Sequence, residues 1–139
     1  MPIRSKVPGL QSSAFYLGLA MLFTHELDAV SNHEWRVLPL LSGLADNTGR
    51  LLFLYAHIPL FALLLALVAS LNTSVRRRAR WGISIFLVLH GVLHFLFFRH
   101  PHYEFSGADS NILIFGAAGF GAAYLALEHF DKRRGNPGQ

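Results

Sequence analysis

The chain has 139 residues, of which 53% are hydrophobic and only 14% charged, with a mean hydropathy of +0.38. A soluble domain of this size carries about 25% charged residues, so the composition is that of a membrane protein. The absence of cysteine excludes disulfides, thiolate ligands and iron–sulfur clusters, and the net charge of +4 is no sign of a nucleic-acid partner. The basic residues lie in short blocks between apolar runs, which is a membrane pattern and not that of a nucleic-acid binder.

In chain order, the first apolar run starts at Ser12 and passes Val30. No Gly or Pro interrupts the chain between Gly18 and Pro39, so the sequence predicts an unbroken helix to about residue 36. No small-residue cleavage site follows this run, so it reads as a span and not a cleavable signal. Further spans are predicted at about 50–71, 81–98 and 111–128. Each is near the roughly 20 residues that cross a hydrocarbon core. Helices are the expected form, since an isolated strand leaves its backbone unpaired in lipid. The expected fold is one all-α domain over 1–139, an integral membrane bundle of four transmembrane helices. The tail RRGNPGQ reads as disordered.

Arg4 and Lys6, the arginines at 76, 77, 78 and 80, and Lys132, Arg133 and Arg134 mark three basic blocks. Four spans put all three on one side, and the positive-inside rule makes that side cytoplasmic. The expected location is therefore the cell membrane, multi-pass, with both termini cytoplasmic.

Ionisable residues inside a bilayer are costly and mark function. The sequence THELDAVSNHEWR places His25, Glu26, Asp28, His33 and Glu34 near the outer end of the first span. Counting about 1.5 Å per residue puts His25, His57 and His94 at one depth in the outer half of the membrane, with His90 one turn deeper. On an unbroken first helix, His25, Asp28, Asn32 and Arg36 share a stripe, Glu26 and His33 form a neighbouring one, and Glu34 points the opposite way. His90 and His94 stack on one face at i, i+4, a two-point grip on a transition metal. Pro59, two residues after His57, should bend the second helix there.

These residues predict a metal site of His25, His57, His90 and His94, with Glu26 or Asp28 as general base, and zinc or iron as the metal. The bland alternative is that the histidines hold the helices together by hydrogen bonds. Neither His25-Glu26 nor His33-Glu34 begins an HExxH box, because the fifth positions are Ala29 and Val37. Glu34-Trp35-Arg36 reads as an interfacial anchor, and His100, His102 and Glu104 as an exposed polar loop. In the fourth span, Gly116 to Ala123 (GAAGFGAA) forms a small-residue face suited to close helix contact and to homo-oligomer formation.

The strings HELDAVSNHEWRVLPL and HIPLF resemble a family of small bacterial four-helix membrane proteins of unknown function. The resemblance covers most of the chain and implies the fold without an activity. A looser similarity runs to membrane proteins with a His-x-x-Glu-Glu box, in which Ala29 stands here where the second Glu would be. Alkaline ceramidases offer an analogy in chemistry alone, since they use membrane histidines and an Asp around zinc but have seven spans and a characteristic Ser. The leading reading is a metal-dependent membrane enzyme that hydrolyses or oxidises a lipid-like substrate reached from the bilayer. The alternatives are a haem b electron carrier, with His57 and His94 or His90 as axial ligands, and a small metal or ion permease.

Overall fold

A computed structural model describes residues 9–134, with side chains to residue 131. Arg4, Lys6 and most of the C-terminal tail lie outside the described residues. Every regular element described is helical: α1 (Leu10–Ser31), α2 (Asp46–Val68), α3 (Thr73–Phe97) and α4 (Ala108–Arg134), with a short 3-10 helix at Glu34–Arg36. α2, α3 and the Ala108–Asp131 part of α4 are long and apolar enough to cross a membrane. α1 is not among them, for its 22 residues include His25, Glu26 and Asp28, which lower its mean hydropathy.

α4 packs chiefly against α1 and α3, while α2 lies outside this trio, against α3 and the 3-10 helix. The close packing rests on small residues. A Cβ added at Gly121 would stand 2.8 Å from the Ser84 carbonyl and 2.9 Å from Leu87 Cβ. One at Gly91 would stand 2.8 Å from Ala118 Cβ. The small-residue face of α4 therefore serves contacts within the chain at Gly116 and Gly121, whereas Gly119 faces open space. α2 is the least buried helix, with Leu52, Ile58 and Leu63 exposed along it.

Two apolar clusters form the core. One gathers Phe15, Leu19, Leu22, Leu87 and Tyr124. The other gathers Ala29, Trp35, Phe53, Phe105 and Ile114. Along α1, His25 falls between Leu22 of the first and Ala29 of the second, so it enters a layer walled by apolar side chains.

The expected continuation of α1 to residue 36 is corrected here: the helix ends at Ser31. Asn32 stops it by returning both its backbone N–H and its side-chain amide to the Asp28 carbonyl, each at 2.9 Å. His33 then takes the left-handed conformation, φ 51 and ψ 43. Asn and His are among the non-glycine residues enriched there. The reversal overturns the expected facing of Glu34, which turns back into the bundle and is buried. A β-branched residue tolerates this backbone poorly. The His33→Val protein should be about 1–2 kcal/mol less stable than His33→Gly, as read by chemical denaturation in detergent.

Candidate metal centre

Glu34 closes a group that the first and third helices begin. His25 from α1, His90 and His94 from α3, and Glu34 from the 3-10 helix each offer one ligand atom, all within 4.8 Å of one another. His94 Nε2 lies 3.4 Å from Glu34 Oε1, and His25 Nε2 lies 3.9 Å from Glu34 Oε2. Tetrahedral coordination at about 2.0–2.2 Å separates neighbouring ligand atoms by about 3.3–3.6 Å. The group is thus slightly open for one transition-metal ion, which it could hold.

The three rings meet edge to face, at 5.0 Å for His25 and His90, 4.9 Å for His25 and His94, and 4.6 Å for His90 and His94. Phe105, fully buried, packs on both His25 and His94. Both nitrogens of His25, His90 Nε2 and His94 Nε2 are buried with no hydrogen-bond partner among the described residues. An unmet buried polar group costs about 1–3 kcal/mol, and of these four only His94 Nε2 has a carboxylate oxygen as near as 3.4 Å, so the cluster is suited to holding an ion.

Burial pushes the Glu34 carboxyl up, but the facing His94 and His25 rings outweigh it and hold it below the ordinary carboxylate range. His94 Nδ1 lies 3.2 Å from the Tyr103 hydroxyl. Burial, reinforced by the nearby Glu34 charge, pushes that hydroxyl up to about 12, so it stays protonated at neutral pH. A hydrogen bond of this kind fixes which ring nitrogen would face a metal, and its loss commonly costs 10–100-fold in metal affinity. Tyr103→Phe should weaken metal binding by about that factor, as measured by competition with a chelator.

A clamp of polar side chains holds the 3-10 helix down. Asp46 Oδ1 accepts from Arg36 Nε at 2.7 Å and from Trp35 Nε1 at 3.0 Å. Glu104 contacts Arg36 Nη1 at 3.2 Å and His33 Nδ1 at 2.8 Å. Hydrogen bonding to Asp46 raises the Arg36 guanidinium further above its ordinary value. Through these contacts Trp35, Arg36 and the 100–104 loop, which is largely exposed as expected, tie down the 3-10 helix that carries Glu34.

Of the residues singled out in the sequence, His25, His90 and His94 come together, and His57 stands outside that group. His57 Nε2 lies 2.9 Å from Glu26 Oε2 instead. His57 Nδ1 donates to the Phe53 carbonyl at 2.7 Å, which turns Nε2 toward the Glu26 carboxyl. Asp28 also stands apart, with Oδ1 accepting from Asn32 Nδ2 at 2.8 Å. Glu34 and Tyr103 were missed by sequence reasoning. The pair Asn32-His33, both tolerant of left-handed backbone, was the signal for the turn that brings Glu34 in.

Two cavities adjoin these residues. One of about 70 Å³ is lined by Glu34, His90, His94 and Tyr103 together with Leu93 and Phe97. It is large enough for a few water molecules or a small group. The other, about 250 Å³, is apolar except for Glu26, with Leu22, Leu60, Phe61, Ile83 and Phe86 among its walls. No curated protein and no solved structure matches the chain. A family model covers residues 11–131, and on that match the chain belongs to a family of unknown function, DUF6713.

Proposed function

We propose that the chain is a metal-dependent membrane enzyme that hydrolyses or oxidises a lipid-like substrate, with its site in the outer half of the bilayer. The observation that carries this reading is the buried group of three histidines and Glu34 with unpartnered ring nitrogens. Zinc or iron suits three imidazoles and a carboxylate, and supplies Lewis-acid chemistry there. Glu26, paired with His57, is the proton acceptor in this reading, and it borders the apolar cavity where a substrate chain fits. Half-exposed Leu93 gives the smaller cavity a lipid-side rim. Haem is the weaker reading, because the three rings pack against one another where a porphyrin would need a flat slot.

The protein should be reconstituted in bilayers of total membrane lipid and the lipids followed by mass spectrometry. The wild type is expected to consume a lipid species that His94→Ala leaves intact. Glu26→Gln should slow that conversion by about 10²–10⁴-fold. Identical lipid profiles for wild type and His94→Ala would overturn the enzyme reading.

In this reading all four helices cross the membrane and both termini are cytoplasmic. Topology reporters fused after Lys6, Arg78 and Arg134 are expected to give the inside signal. An outside signal at Arg78 would reverse the orientation and move the site to the inner half.

A further inference from the structure

At the far end of the bundle from the histidines, a cavity of about 420 Å³ opens between three helices. Arg76, Arg77 and Arg80 from α3, Gln11 from α1, and Glu128 and Asp131 from α4 all line it. A second cavity of about 410 Å³ adjoins it, sharing Arg77 and Glu128 and adding Arg78 and Trp81. Topology alone would need basic residues near this surface, but not an open cleft lined by three helices.

The charges within it are unevenly matched. Buried Glu128 accepts from Arg77 Nε at 2.6 Å and from Gln11 Nε2 at 2.9 Å, and its Oε2 lies 3.3 Å from the Tyr124 hydroxyl. Its carboxylate is therefore already compensated. Among the described residues, Arg77 alone of the four α3 arginines has a carboxylate within salt-bridge distance. Arg76 reaches only the Ser70 carbonyl, at 2.8 Å. Arg80 donates to the Tyr16 hydroxyl at 2.8 Å and lies over the Phe15 and Tyr16 rings, which fixes its position. Its Nε is buried with no partner. Asp131 is exposed and stands as the remaining acid. The arginines also crowd the first turns of α3, where the helix dipole is positive and favours an anion over a cation.

We propose that this cavity binds a phosphate group, with Arg76 and Arg80 as its donors. Guanidinium forks match phosphate oxygens two at a time, and a cavity of this size admits the headgroup as well as the phosphate. The position at the end of the bundle, beside Trp81, suits the headgroup of an anionic phospholipid.

The full-length protein should be purified in detergent, stripped of lipid, and titrated with phosphatidylglycerol, phosphatidylcholine or inorganic phosphate, with bound molecules counted by native mass spectrometry. Phosphatidylglycerol is expected to bind one per chain and more tightly than phosphatidylcholine. The Arg76→Ala/Arg80→Ala protein should bind it roughly thirtyfold more weakly, at about tenfold per 1.4 kcal/mol and about 1 kcal/mol for each arginine. Arg50→Ala removes a charge elsewhere and should leave binding unchanged. If the alanine variant fails to fold, Arg76→Lys/Arg80→Lys keeps the charges and should still lose affinity, because it loses the fork. Equally tight binding of inorganic phosphate would identify the free ion as the ligand of the same site. Unchanged phosphatidylglycerol and phosphate binding in a folded double variant would overturn the proposal.

Discussion

The His94→Ala protein is expected to purify with less than about a tenth of the zinc or iron carried by the wild type. His94 sits 5% exposed, with Glu34, Tyr103 and two other imidazoles around it, so no surface group can take its place. Water in the adjoining cavity does not replace an imidazole ligand at equal strength, and even the loss of a hydrogen-bond partner behind a ligand costs 10–100-fold. Glu34→Ala should behave like His94→Ala. His57→Ala should keep its metal, because His57 is bound to Glu26 and Phe53 and stands outside the group. Elemental analysis of the three variants separates this ligand set from one built on the four membrane histidines. Retention of metal by Glu34→Ala with loss in His57→Ala would refute it.

Gly121→Leu is expected to produce the largest loss of stability among single glycine substitutions, about 3 kcal/mol or more. Its added Cβ would meet the Ser84 carbonyl, a backbone atom that cannot swing aside, at 2.8 Å. Overpacking a tight helix contact costs about 1–3 kcal/mol, and a rigid neighbour puts the cost at the upper end. Gly119→Leu, on the same helix but facing open space, should be nearly neutral. Thermal melting in detergent compares the two, and equal melting temperatures would show that α3 and α4 do not approach as closely as described.

Much of this arrangement was legible in the sequence because lipid restricts the choices. Apolar runs near 20 residues read as helices, and i, i+4 spacing put His90 and His94 on one face whatever the bundle's layout. Depth counting also grouped His25 with His94, since rise per residue is fixed. What failed was facing. The absence of Gly and Pro before Pro39 suggested one long helix, but Asn32 ends it by hydrogen bonding back to Asp28 and His33 adopts a left-handed turn. That single reversal moved Glu34 from the far side to the centre of the group. Depth likewise could not tell that His57 would be taken up by Glu26, which depends on how α2 is rotated. Tyr103 lies in a loop without periodicity, and its approach to His94 follows only from the folded path of residues 98–107.

Metal-edge X-ray absorption on the protein as purified, with metal content per chain measured on the same sample, tests the central claim most directly. The expected result is about one zinc or iron per chain, with a nearest shell of nitrogen and oxygen at about 2.0–2.2 Å and the multiple-scattering pattern of imidazole. Glu34→Ala and His94→Ala should each carry too little metal to give this signal. A protein free of zinc and iron, folded and unchanged in stability by His94→Ala, would contradict the claim and return the histidines to a role in helix packing.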